Sequence, residues 1–393
     1  MRKKIIFIHF NRFLNEFDWE RYEFNKLSKK FDIKVHVLIN LVHPYIKNNI
    51  YDNSKFSKKF DDIDKWKKEI NSLDKNSFFI FQSFPYNFTA LKLYYFIKLK
   101  GFKTSIILIN NLPKFKDKGL GYKLNFLDLI TRKIKSVIFR PHQALGQIKK
   151  KIISFLFFIK PKTFEPDIYF QGGAEKKKNK FSKNIAINSW DYSNFLRKKN
   201  KNFKLKKDYI LYLSDGENRY QTDSHLYNAK STVDKKAYIK LLNDFFYQIE
   251  KKYKTKVVIA SHPRGNPKLN FDKDFKNRRI FYNKTSELSA RAKLIISTGS
   301  TALAYAILCK KPILFIYSDS QHKKNISFMK FQNFYANILR RPRLDIDNFK
   351  DLSNYIDNKI DKEAYEKYEK KYIIRKKFKV NYQIFKYNIE KMF

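Results

Sequence analysis

Three short stretches carry side chains whose types and spacing can do chemistry. In the first, the apolar run Leu294-Ile295-Ile296 opens into Ser297-Thr298-Gly299-Ser300-Thr301 and then into a second apolar stretch with helical character. Backbone N–H groups at a helix N-terminus, hydroxyls beside them and a glycine that lets the main chain approach make an anion site. Ser297, Thr298, Gly299, Ser300 and Thr301 are therefore expected to hold a phosphate, since helix capping alone accounts for one or two hydroxyls. In the second stretch, Val257-Val258-Ile259-Ala260 ends in Ser261-His262-Pro263-Arg264. The proline fixes the backbone beside His262, which can donate to a phosphate oxygen or protonate a leaving group, and Arg264 can pair with the same charge.

The third stretch runs from Ser214-Asp215-Gly216 through Gln221-Thr222-Asp223-Ser224 to His225, after the apolar run Tyr209 to Leu213. It offers carboxylates, an amide and hydroxyls where an acceptor hydroxyl could be deprotonated. His9 and Asn11, directly after the first apolar run, are placed to meet an acceptor. No complete phosphate-binding Gly-x-x-x-x-Gly-Lys-Ser/Thr loop, Gly-x-Gly-x-x-Gly fingerprint or His-Glu-x-x-His zinc pattern occurs. Asp345-Ile346-Asp347 and Asp62-Ile63-Asp64 mimic an Asp-x-Asp metal signature, but their charged surroundings read as solvated faces, and no metal is expected.

The elements that must position these residues alternate in a regular way. Apolar runs at Lys4 to His9, Ile33 to Asn40, Ser77 to Gln82 and Thr104 to Ile109 read as buried parallel strands, with a helix from Tyr86 to Lys100. Strands at Asp167 to Phe170 and Asn184 to Asn188 close the first unit. The polar segment Leu196 to Lys207 reads as a linker. A second series then follows: strand Tyr209 to Leu213, helix Asp234 to Lys252, strand Lys256 to Ala260, strand Arg279 to Tyr282, helix Ser286 to Arg291, strand Lys293 to Ser297, helix Thr301 to Cys309 and strand Pro312 to Tyr317. The fold class is α/β, two Rossmann-like domains facing a central cleft. The expected divisions are a domain at 1–195 carrying a basic amphipathic insertion at 113–165, a second domain at 208–350 and a helical tail at 351–393.

Length and composition agree with two domains: 393 residues, 43% hydrophobic and 17% aromatic, with 9 Gly and 10 Pro, exclude a single small module and a low-complexity chain. One cysteine, Cys309, excludes an internal disulfide and a multi-cysteine zinc site and fits a reducing cytoplasm. The most apolar run, Ile152 to Ile159, falls far short of the ~20 residues that span a bilayer. The N-terminus turns polar at His9 and Asn11, too soon for a signal peptide. The formal charge of +47 suits phosphate, nucleic acid or an anionic membrane. A basic nucleic-acid-binding protein is the rival class. Its named motifs are missing and the lysines are spread along the whole chain, so no nucleic-acid partner is expected. Between Ile130 and Lys160, lysines and arginines alternate with Ile, Val, Leu and Phe at helical spacing, as in a helix lying on an anionic membrane surface.

The order strand, polar loop, helix, strand, His262-Pro263, then strand, Ser297-Thr298-Gly299-Ser300-Thr301, helix, Lys311-Pro312, strand resembles the C-terminal nucleotide-binding half of bacterial GT-B glycosyltransferases of surface polysaccharide synthesis. The nearest groups are the capsular Kdo transferases and the His-Pro-motif sialyl- and polysialyltransferases, and the resemblance covers Tyr209 to Tyr317. It implies a cytoplasmic, metal-independent glycosyltransferase, without a cofactor, that moves a sugar from a nucleotide-sugar donor to a surface glycan or lipid-linked acceptor. It implies that His262 assists departure of the nucleotide and that Ser297, Ser300 and Thr301 hold its phosphate. Two departures bear on the base. The sialyltransferases carry an acidic pair before glycine where this chain has Ser214-Asp215-Gly216, whereas Gln221-Thr222-Asp223-Ser224 is closer to the Kdo transferases, so Asp215 and Asp223 are alternative bases and Gln221 an alternative cleft residue. Within the same fold, a nucleotide-sugar epimerase and a polyol-phosphate transferase are the rival activities.

Overall fold

The structure is a computed structural model that describes residues 2–10, 16–44, 56–110, 112–113, 141–174, 180–198, 209–215, 233–262, 274–323, 325–349, 352 and 359–393. The first lobe contains β1 (Lys4–His9), α1 (Glu16–Arg21), α2 (Phe24–Leu27), β2 (Asp32–Val37), α3 (Ile39–Val42), β3 (Ser57–Lys59), α4 (Ile63–Asn71), β4 (Phe78–Phe81), α5 (Phe88–Leu99), β5 (Lys103–Asn110), α6 (Pro141–Ile159), α7 (Pro161–Phe164), β6 (Ile168–Gly173) and β7 (Lys183–Ala186). These strands form one parallel sheet in the order β3-β2-β1-β4-β5-β6-β7. Side chains alternate between its faces. Ile5, Phe7, Phe78 and Ile80 enter one core cluster, while Ile6, Ile8, Phe79 and Phe81 enter another with Trp66 of α4, Tyr94 and Ile97 of α5 and Phe157 of α6. A sheet buried on both faces needs continuous apolar strands, which is why these runs stand out in the sequence.

After α8 (Trp190–Lys198) comes the second lobe: β8 (Ile210–Leu213), α9 (Lys235–Tyr253), β9 (Val257–Ala260), β10 (Ile280–Phe281), α10 (Thr285–Arg291), β11 (Leu294–Ser297), α11 (Leu303–Leu308), β12 (Ile313–Tyr317), α12 (Asp319–His322), α13 (Ile326–Leu339) and β13 (Arg343–Asp345). Its sheet is also parallel, in the order β10-β9-β8-β11-β12-β13. Leu211, Leu213, Val258 and Ile295 pack on one face; Ile210, Tyr212, Ile259 and Ile296 pack on the other, against Leu242, Phe245, Phe246 and Ile249 of α9. Asp234 caps α9 by accepting from the Lys236 amide at 2.8 Å and the Ala237 amide at 3.2 Å.

The chain ends in α14 (Lys362–Tyr368), a short π-helical continuation to Ile373 and α15 (Asn381–Glu390). Tyr365, Tyr368, Tyr372 and Ile373 join the core of the second lobe, whereas Ile384, Phe385 and Ile389 join the core of the first. The tail thus crosses back between the lobes. Asn188 holds the crossing. Its side-chain oxygen accepts from the Arg375 and Lys376 amides, both at 2.7 Å, and its side-chain nitrogen donates to the carbonyls of Lys376 at 2.9 Å and Lys379 at 2.7 Å. Asn381 in turn binds the Asn188 backbone at both ends, 2.9 and 3.0 Å.

Two sequence expectations are corrected, while Asp62 and Asp64 lie exposed as expected, Asp62 also capping α4 by accepting from the Lys65 amide at 2.7 Å. Leu196 to Lys198 belong to α8 rather than to a linker. Asp345 and Asp347 are not a solvated face, because each accepts backbone N–H groups: Asp319 on Asp345 at 3.1 Å and Ser320 on Asp347 at 2.6 Å. Among the described residues, no helix is long and apolar enough to cross a membrane.

Candidate functional site

Parallel strands deliver their following loops to one edge, and register fixes which loops meet. In the second sheet Leu213 pairs with Ala260 on one side and Ser297 on the other, and Ser297 pairs with Phe315. Two residues beyond the first pair, Asp215 and His262 therefore leave neighbouring strands side by side. The first strand, β8, lies between β9 and β11, so the direction of winding reverses at β8/β11. A crevice opens at such a point, outside the carboxyl ends of the strands. Asp215 and Thr298 stand on its two sides, and the Thr298 hydroxyl donates to the Asp215 carboxylate at 2.9 Å.

The turn after β11 divides its hydroxyls between structure and solvent. Ser297 is fully buried, and its hydroxyl accepts from the Gly299 amide at 3.1 Å and the Ser300 amide at 3.2 Å. These two amides are therefore bound within the turn, and the Ser297 side chain shapes the site rather than lining it. Gly299 has φ +123°, a left-handed conformation open to glycine, and a Cβ there would lie 3.4 Å from Phe331. Ser300 is half-buried, with its hydroxyl accepting from the Ala302 amide at 3.2 Å and its proton left to donate, and Thr301 is exposed. The chain tightens here, with Leu303, Ala304 and Tyr305 donating to the carbonyls of Ser300, Thr301 and Ala302, and α11 proper starts at Leu303.

Support comes from residues that the sequence pattern did not single out. Gln332 of α13 is completely buried and donates to the carbonyls of Thr298 at 2.8 Å and Ile316 at 2.7 Å, tying the turn to β12. His322 follows β12; its Nδ1 accepts from the Ser318 amide at 3.0 Å, and its ring stacks on Phe328. Burial pulls the His322 pKa down, while Asp215, the Ser318 backbone, Asp347 and Asp345 pull it up. The negative charge of Asp215 thus reaches His322. His-Pro and Ser-Thr-Gly are visible as motifs; Gln332 and His322 act from separate helices, and while a glutamine in a largely apolar stretch could have marked Gln332, the polar run Ser318 to Asn325 gives His322 no distinguishing signal.

His262 is half-buried and Ser261 buried, with the Ser261 amide donating to Phe281 at 2.9 Å. Arg264, Gln221, Asp223 and Asn11 lie outside the described residues. His9, at the carboxyl end of β1, is fully buried with its ring edge-on to Tyr22 at 6.2 Å, so it meets protein rather than solvent.

No protein-family model matches the chain, and no curated protein matches it in sequence. Among solved structures, Arabidopsis thaliana UGT89C1 complexed with UDP-L-rhamnose aligns over 100% of this chain and 99% of its own, at 10% identity and a TM-score of 0.50. The UDP-GlcNAc 2-epimerase of Methanocaldococcus jannaschii aligns over 95% and 93% at 12% identity and a TM-score of 0.42, and Acinetobacter baumannii MurG over 88% and 87% at 10% identity and a TM-score of 0.40. The end-to-end likeness to UGT89C1, with both parallel sheets, is one of architecture. The chain has a GT-B fold.

The two lobes of this GT-B chain meet around α8. Arg197 donates to the Glu20 carbonyl at 2.8 Å and lies 3.5 Å from the buried carboxylate of Glu23, while Lys198 lies 3.5 Å from Glu20 and 3.7 Å from Glu287 of the second lobe. Asn194 donates to the Tyr305 hydroxyl at 2.7 Å. Leu112 and Ala174, just beyond β5 and β6, pack against the core of the second lobe.

Beside them, burial raises the Asp191 carboxyl to about 6, against the attraction of Arg21 and a hydrogen bond from Tyr305. Between the ordinary value of 3.8 and about 6 the folded chain holds this proton and the unfolded chain does not. The stabilisation is complete below the lower value and lost as pH rises through the upper, a change of about 2 to 3 kcal/mol. Asp191→Asn keeps the group neutral throughout. Wild type and variant are expected to melt together near pH 4, with wild type several degrees lower above about pH 6. A melting difference that stays constant with pH would remove Asp191 as the source.

Proposed function

We propose that the protein is a metal-independent glycosyltransferase that moves a sugar from a nucleotide-activated donor onto a surface polysaccharide or lipid-linked glycan acceptor, of the capsular Kdo or sialyl type. Its place would be the inner face of the cytoplasmic membrane, in assembly of capsule and cell envelope. The observation that carries this reading is the 2.9 Å hydrogen bond between Thr298 and Asp215 across the strand-order reversal, with the Gly299 to Thr301 turn on one side and His262 on the other. In this reading the hydroxyls of Ser300 and Thr301 and the Arg264 side chain receive the donor phosphate, and Gly299, lacking a Cβ, lets it approach the main chain. His262 donates to the phosphate as it departs, and the carboxylate of Asp215 or Asp223 takes the acceptor proton, with Gln221 beside it. Nucleotide departure would be helped mainly by fixed dipoles and charge at the sheet edge.

A ligand that binds only the folded state raises the melting temperature. Of CMP, UDP, GDP, ADP and CDP, one is expected to raise that of this chain selectively, which names the base of the donor. Ser300→Ala with Thr301→Val should weaken binding of that nucleotide by about 1 to 3 kcal/mol through loss of hydroxyl bonds to a charged group. Calorimetry showing unchanged affinity in the folded double variant would take the turn out of the site.

A further inference from the structure

Helix α6 has two apolar stripes, and the fold uses one of them. Ile153 and Phe157 are buried in the first-lobe core, where Phe157 meets Phe84 at 4.2 Å and also contacts Tyr94 and Phe164. Ile148, Ile152, Phe155 and Ile159 recur at i, i+4, i+7 and i+11. At about 100° per residue they fall within about 60° of one another, on the side facing away from Ile153 and Phe157. Together with Phe158 they are 44% to 79% exposed. Large apolar side chains exposed singly are ordinary, but five on one helix form a patch that marks an interaction surface.

The edges of the stripe say what it fits. Lys151 lies on one flank and Lys149 on the other, both exposed, and exposed Lys160 and Lys162 follow the helix end. Apolar centre, lysines on both sides and no acidic residue anywhere in Pro141–Ile159 is the pattern of a helix lying in the plane of an anionic bilayer. Exposed Tyr86, whose ring neighbours Phe84, adds an amphipathic ring near the C-terminal half of the helix. We infer that α6 docks the first lobe on an anionic phospholipid surface, with Ile152, Phe155 and Phe158 entering the acyl boundary and Lys149 and Lys151 meeting the headgroups. This deepens the membrane location in the proposed function but rests on the helix surface alone, not on the sugar-transfer chemistry.

The test is co-sedimentation of the full chain with vesicles of phosphatidylglycerol and phosphatidylcholine, against phosphatidylcholine alone. Binding is expected only to the anionic vesicles and should fall as salt rises. It should weaken roughly tenfold or more in Lys149→Glu with Lys151→Glu, and drop comparably in Phe155→Ser with Phe158→Ser. Every side chain changed is exposed, and each variant is checked by its melting curve and by the shift its stabilising nucleotide produces. A chain with no nucleotide response that still binds vesicles in this pattern separates the two readings. Phe158→Trp gives an independent signal, a blue-shifted emission on anionic vesicles. Equal binding to neutral vesicles, undiminished binding by the variants, an unshifted indole emission in Phe158→Trp or self-association abolished by Phe155→Ser without vesicle binding would overturn the assignment.

Discussion

Asp215→Asn is expected to lower sugar-transfer turnover by roughly 10²- to 10⁴-fold, the range typical of a positioned acid or base. The substitution preserves shape and leaves an amide oxygen to accept from the Thr298 hydroxyl, so the 2.9 Å contact and the turn behind it survive. What is removed is the negative charge that would draw a proton from an acceptor hydroxyl. His262→Ala should cost a similar factor under the proposed role of His262 as donor to the departing phosphate. Thr298→Val, which removes this one hydrogen bond without discharging the carboxylate, should cost less. Turnover within about threefold of wild type in Asp215→Asn would pass the role of base to Asp223, and the same result in His262→Ala would make that histidine structural and leave Arg264 as the candidate.

The second large effect concerns stability. Asn188→Ala removes an amide that bonds four backbone groups of the returning tail and is itself completely buried. Each bond contributes about 1 kcal/mol net, and each backbone group left unpaired in the interior adds its desolvation penalty. A loss of about 3 kcal/mol or more follows, equivalent for a chain of this length to a melting temperature lower by roughly 4 °C or more. Asn188→Asp, which would set a buried carboxylate oxygen against the carbonyls of Lys376 and Lys379, should be at least as destabilising as Asn188→Ala at neutral pH. A shift below about 2 °C in Asn188→Ala would mean that the crossing is held by the packing of α15 rather than by this side chain.

What could be read from the sequence follows the physics of each element. Strands buried on both faces must be apolar throughout, and β1, β4, β5, β8, β9, β11 and β12 stand where those runs stand. Edge strands need no such run: β3 is Ser-Lys-Lys and β13 is Arg-Leu-Asp, and neither has a periodic signal. The polar end of α8 reads as a linker because the carboxylates that match Arg197 and Lys198 are supplied by Glu20, Glu23 and Glu287, distant in sequence. At the site, strand ends placed Asp215, His262 and the Ser-Thr-Gly turn on one edge. The direction of a hydroxyl is decided by local backbone geometry, however, so nothing in the composition separated Ser297, turned inward, from Ser300 and Thr301.

The core of the first lobe includes Ile384, Phe385 and Ile389, with Phe385 edge-on to Phe170 at 4.7 Å. A chain made from its N-terminus ordinarily folds its first domain while the second is being synthesised. Here the β1 sheet can form early, yet one face stays uncovered until residues 381–390 have left the ribosome. The second lobe, whose packing helices end at Ile373, can be complete before the first. During that interval Phe170 and Trp190 lack their α15 partner, Phe385. Shortening the chain by its last helix would therefore expose the lobe made earliest, and aggregation during synthesis, rather than loss of the distant candidate site at the second sheet's edge, would be the first symptom.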